Sequence, residues 1–156
     1  MFDIVIIAVG KIKESYLSQG IGEYLKRLSP YARIVMEELK PETFRRESDM
    51  EKSKGLEAER IIKCLDKYED SHVIILDENG KQFTSESFAN KIKTLANKKI
   101  VFVVGGSLGL GQEILNRNFD KLALSQMTFT HEMARLILVE QIYRAISIIK
   151  EKDYHH

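Results

Sequence analysis

The chain has 156 residues, 44% hydrophobic and 30% charged, with 24 Lys and Arg against 23 Asp and Glu for a net charge of +1. That length suits one domain with a core of its own, and the near-neutral balance argues against a non-specific nucleic-acid binder, which is usually clearly basic. The single cysteine, Cys64, excludes an internal disulfide and a cysteine-rich zinc site, and no apolar run is long enough to span a membrane.

The longest apolar run, Ile4 to Val9, is short and preceded by Asp3, which makes it a poor signal peptide. A soluble cytoplasmic protein is the expectation. Phe2–Val9 (FDIVIIAV) instead reads as a buried first strand, followed by a loop over 10–13. Tyr24, Leu25 and Leu28 fall at helical spacing within 16–28, and Ser29-Pro30 stops that helix. Ala32–Leu39 alternates in part and reads as a strand nearer an edge.

The stretch 40–54 is charged, contains Pro41 and reads as the least ordered part of the chain. A helix is expected over 55–68, with Leu56, Ile61, Ile62 and Leu65 to pack, and with Cys64 in its apolar stripe. A third strand follows over 72–76 (HVIIL), then a turn over 77–80. Ser85 is the expected N-cap of a helix running to about 97, with Phe88, Ile92 and Leu95 as its stripe.

Residues 98–111 (KKIVFVVGGSLGLG) stand out. The apolar run 100–104 suits a strand buried on both faces, as in a parallel sheet. Four glycines in the next seven positions let the backbone turn sharply and approach a ligand. A short helix over 112–117, a short strand over 121–125 and a long helix over 130–150 complete the chain. Strand and helix alternate five times without a composition break. The chain therefore reads as one α/β domain, 1–156, with a mostly parallel sheet and helices on both faces. The last helix is apolar around most of its circumference, with polar positions near Glu140, Arg144, Ser147 and Glu151. It is either central to the monomer or covered by a partner subunit, for which a two-fold dimer is the simplest arrangement.

The glycine loop is no P-loop, because no Gly-Lys-Ser/Thr follows. Its glycine pattern also differs from the dinucleotide fingerprint, and Glu113 would repel a phosphate at the next helix start. A ligand other than polyphosphate is the better fit, against a bare strand–helix turn. The connection 124–131 (LSQMTFTH) offers Leu124, Met127 and Phe129 beside free backbone amides. This suits an adenine ring, although Met127 and Phe129 would more often be core. His131-Glu132 does not continue as His-Glu-x-x-His, so zinc is not supported. His131 could do acid–base work or be structural. Arg135 and Arg144 could anchor phosphates or pair with Glu132 and Glu140. The basic islands at Lys11 and Lys13, at Arg45 and Arg46, and in the tail read as solvated surface.

Together the segments IIAVGKIKESY, VVGGSLGLG and LALSQMTFTHEMARLILVEQIYRAISIIKEKDYHH resemble the ribosomal RNA large subunit methyltransferase H family over essentially the whole chain. The resemblance implies a SPOUT fold whose C-terminal part forms a trefoil knot, a homodimer, and use of S-adenosylmethionine without a metal. It implies methylation of ring nitrogen 3 of a pseudouridine in helix 69 of 23S ribosomal RNA, on the assembled 70S ribosome. Carried over by position, cofactor contacts fall on Leu76, Gly105, Leu124, Ser125, Gln126, Met127, Thr128 and Phe129. His131, Arg135, Tyr154 and His155 become the catalytic candidates, with Arg135 stabilising phosphate or anion and the tail completing the site across the dimer. The family usually has proline where Thr130 stands; threonine can cap the same helix by hydrogen bonding. The alternative is a ribosome-associated factor that keeps the fold without catalysis.

Overall fold

A computed structural model describes residues 1–151. Five strands form one wholly parallel sheet in the order β2-β1-β4-β3-β5: β1 Phe2–Val9, β2 Ala32–Leu39, β3 His72–Lys81, β4 Lys99–Val104 and β5 Asp120–Leu122. The helices are α1 Ser15–Leu28, α2 Met50–Leu65, α3 Ser85–Thr94, α4 Gln112–Leu115 and α5 His131–Ile149.

The continuous apolar runs of β1 and β4 are explained by cover on both sides. Ile4, Ile6, Ile100 and Phe102 face α1, α3 and α5. Val5, Ile7, Val101 and Val103 face α2 and α4. Each such side chain contributes roughly 1.5–3 kcal/mol on burial, so the two central strands anchor both layers. β2, at the edge, keeps partial exposure, in line with its weaker alternation.

α5 lies between α1 and α3 on one face of the sheet. Leu138, Val139, Ile142, Ala145 and Ile146 are buried, and no residue from His131 to Ile149 is exposed. One apolar face is thus covered within the chain, while Met133, Leu136, Ile137, Tyr143, Ile148 and Ile149 keep partial exposure. Ser147, expected on a polar stripe, is buried, and its hydroxyl donates to the Tyr143 carbonyl at 2.8 Å. Arg144 makes the expected pair with Glu140 at 2.8 Å.

Several boundaries differ from expectation, each for a local reason. α2 starts at Met50, after a 3₁₀ turn over Glu47–Asp49, so part of the supposedly irregular 40–54 stretch is helical. Thr84, and not Ser85, caps α3, its hydroxyl oxygen accepting the Ser87 N–H at 3.1 Å; the helix ends at Thr94. β3 continues through the expected turn to Lys81, because Leu76 and Lys81 both pair with Leu122 around an irregularity. β5 and α4 are shorter than expected, ending at Leu122 and Leu115. Thr130 caps α5 as anticipated, accepting the Met133 N–H at 3.3 Å.

Candidate active site

A cleft of about 690 Å³ opens at the carboxyl ends of β3, β4 and β5, the end at which open parallel sheets bind ligands. Its volume lies in the range of small-molecule sites. Three chain segments build it, each leaving a strand.

The β4–α4 loop supplies Gly105, Gly106, Ser107, Gly109 and Leu110. Its glycines make the turn possible. A Cβ on Gly105 would lie 3.1 Å from the Gly109 carbonyl carbon, and one on Gly106 would lie 3.0 Å from Val9 Cγ1. Gly109 has φ 77, a conformation that favours glycine, and its N–H donates to the Gly106 carbonyl at 3.0 Å. The β5–α5 connection supplies Leu124, Ser125, Met127, Thr128 and Phe129, with Met127 and Phe129 exposed at the rim. The Ser125 hydroxyl oxygen accepts the Met127 N–H at 3.0 Å, which fixes the turn. The third segment is Leu76 to Asn79, at the irregularity of β3. Here Asp77 accepts the Asn79 N–H at 3.1 Å, and the Thr128 hydroxyl donates to Glu78 at 2.6 Å.

Of the eight positions expected to contact a cofactor, seven line this cleft and Gln126 does not. Asp77, Glu78 and Asn79 join them without having been singled out. Their only sequence signal is the Asp-Glu-Asn-Gly string that directly follows a buried apolar strand.

Among the described residues, the lining contains Asp77 and Glu78 but no lysine or arginine. His131 stands at the edge. Burial pushes its imidazole below the ordinary value of 6.5 against the pull of Glu132, and nearby Arg135 and Lys13 push the same way. The ring is therefore neutral near pH 7 and able to accept a proton. The walls are largely apolar, with acidic groups on one side. This favours an apolar ring joined to a cationic group and disfavours polyphosphate.

Arg135 does not line the cleft. It is 1% exposed, and its guanidinium donates to the Gly10 carbonyl at 2.8 Å and to Glu38 at 3.1 Å. Tyr154 and His155 lie outside the described residues.

Residues 2–155 match the family described as "Predicted SPOUT methyltransferase". The chain is 46% identical over 159 residues to ribosomal RNA large subunit methyltransferase H of Bacillus pumilus, and 48% identical over 160 residues to its namesake in an Exiguobacterium species. Each match covers 98% of this chain and 99% of the relative. A "probable methylase family protein" of Haemophilus influenzae shares the fold with a TM-score of 0.55 at 15% identity, over 99% of this chain and 71% of that one. A protein of Legionella pneumophila, solved with SAM bound, has a TM-score of 0.50 at 13% identity, over 92% and 66%. With both sheet faces covered by helices and the cleft at three strand ends, the chain belongs to the ribosomal RNA large subunit methyltransferase H family of SPOUT methyltransferases.

Proposed function

We propose that this chain transfers a methyl group from S-adenosylmethionine to ring nitrogen 3 of a pseudouridine in helix 69 of 23S ribosomal RNA, on the assembled 70S ribosome. The observation that carries the reading is the cleft itself: apolar walls, two carboxylates and, among the described residues, no lysine or arginine, in a chain of this family. S-adenosylmethionine has an apolar, flat adenine and a net positive charge, and both suit that lining. Bound there, it supplies an electrophilic methyl on a sulfonium centre. Leu76, Leu124, Met127 and Phe129 would wall the adenine, and the backbone of the Gly105 and Ser125–Thr128 turns would hydrogen-bond it. Asp77 and Glu78 would favour the cationic end.

Ring nitrogen 3 carries a proton that must leave as the methyl arrives. His131, which lines the cleft and is neutral near pH 7, would take it in this reading. Arg135 acts indirectly, by holding the chain beneath the site. The same proposal includes the C-terminal trefoil knot, a homodimer in the cytoplasm, and a tail whose Tyr154 and His155 complete the partner's site.

The test is transfer of label from S-adenosylmethionine to 70S ribosomes lacking the modification, compared with a free helix 69 oligonucleotide. Transfer to ribosomes, with the oligonucleotide a poor acceptor, is expected. Efficient transfer to the oligonucleotide would remove the ribosomal context. Ribosome binding without measurable affinity for S-adenosylmethionine would instead identify a non-catalytic factor.

A further inference from the structure

The loop after β1 is held from beneath by the first turns of α5. Gly10 turns the chain with φ 88, and its carbonyl accepts from Arg135 at 2.8 Å. The other arm of Arg135 reaches Glu38 at the end of β2. Three residues on, the Glu132 carboxylate accepts the N–H groups of Lys13 at 3.1 Å and Glu14 at 3.3 Å. These are donors at the start of α1, where Glu14 provides no side-chain cap and the first turn holds no acid. Glu132, itself buried, therefore caps α1 from a different helix.

This anchoring places the loop beside the cleft. A Cβ on Gly10 would lie 3.9 Å from His131 Nε2, and the charge of Lys13 is felt at that imidazole. The side chains left outward are Lys11 and Lys13, both exposed and neither ion-paired with a described residue. The cleft has an acidic wall at Asp77 and Glu78, whereas Lys13 stands outside its lining, near enough to His131 for its charge to act on that ring. A pinned backbone loses little freedom when its lysines meet an anion.

We propose that Lys11 and Lys13 contact the phosphodiester backbone of the RNA strand that brings the target base to His131, and that Glu132 and Arg135 are the positioning residues for that loop. The inference rests on the rRNA methyltransferase reading above. Neutralising phosphates releases counterions, so each lysine contact adds to the salt dependence of binding.

The experiment measures ribosome binding by sedimentation, and single-turnover methylation, against salt concentration for the wild-type chain and for Lys11→Ala/Lys13→Ala. Loss of two contacts should lower the slope of log affinity against log salt by about 1.4 to 1.8. It should also raise the half-saturating ribosome concentration roughly tenfold at physiological salt, with the affinity for S-adenosylmethionine unchanged. Glu132→Ala should shift half-saturation in the same direction, and Glu132→Gln, which keeps one of the two acceptor oxygens, should restore part of it. An unchanged salt slope and half-saturation in the double variant would overturn the proposal. A shift in melting temperature without a shift in half-saturation would reduce Glu132 to a structural role. If the wild-type chain binds ribosomes but transfers no methyl, the methyltransferase reading fails, and the sedimentation slopes still decide the lysine contacts.

Discussion

The Thr128 hydroxyl donates to the Glu78 carboxylate at 2.6 Å, joining the β5–α5 connection to the end of the apolar part of β3 across the cleft. Both side chains are exposed, so the bond's value lies in holding two cleft-lining loops together more than in global stability. Thr128→Val should weaken S-adenosylmethionine binding about fivefold, equivalent to ~1 kcal/mol, with little change in melting temperature. Calorimetric titration against S-adenosylmethionine checks it. Unaltered affinity would mean that the two loops are ordered independently.

Gly80 and Gly22 make opposite predictions from the same substitution. A Cβ on Gly80 would lie 2.7 Å from the Lys121 carbonyl carbon and 2.9 Å from the Leu122 nitrogen, both backbone atoms of the β5 region. Gly80→Ala should cost about 1–3 kcal/mol or more by forcing β3 and β5 apart. Gly22 lies exposed within α1 with nothing near its missing Cβ. Gly22→Ala should gain roughly 0.5–1 kcal/mol. Denaturant unfolding of the two variants measures both signs.

The same region shows what a sequence can and cannot reveal. β1 and β4 are legible because burial on both faces produces unbroken apolar runs. The extension of β3 to Lys81 is not, since Asp77, Glu78, Asn79 and Gly80 are turn residues locally. The pairing of Lys81 with Leu122, and the close fit of Gly80 against the β5 backbone, keep them in the sheet. Within the site, the loops after β4 and β5 announce themselves by glycines and by apolar residues near a helix start. The acidic wall does not, because acids in a presumed turn look like solvated surface. Arg135 is the sharpest case. An arginine on a helix reads as a surface cation, and its burial depends on Gly10 and Glu38, which approach it only once β1, β2 and α5 have assembled.

Tyr68 provides a titration away from the cleft. Its hydroxyl donates to Glu37 at 2.7 Å. That bond, with burial and the Glu37 charge, pushes the phenol up to about 12. The folded state keeps a proton that the unfolded chain releases near 10. The stabilisation is therefore complete below pH 10 and is lost as pH rises through about 12. Ultraviolet difference titration should show one tyrosine ionising late, and Glu37→Gln should bring it back toward 10. A tyrosine that still ionises near 12 in Glu37→Gln would assign the effect to burial alone.

His131 sets the expected pH profile. Its folded value lies below 6.5, chiefly from burial. The unfolded chain takes up the proton first as pH falls, so the associated stability is present above 6.5 and is lost below it. If His131 accepts the proton of ring nitrogen 3, single-turnover methylation should hold steady near neutrality and fall on an acid limb beginning below 6.5. His131→Gln should remove that limb and slow transfer roughly a hundredfold. A variant with wild-type rate and the same limb would place the proton acceptor elsewhere.

The most direct measurement is mass mapping of 23S ribosomal RNA from a strain lacking the modification, after its 70S ribosomes are incubated with this protein and S-adenosylmethionine. The predicted result is one added methyl on the base of a helix 69 pseudouridine, located at ring nitrogen 3 and absent when S-adenosylmethionine is omitted. An unmodified helix 69 under conditions where the protein binds both ribosome and S-adenosylmethionine, or a methyl on another nucleotide, would contradict it.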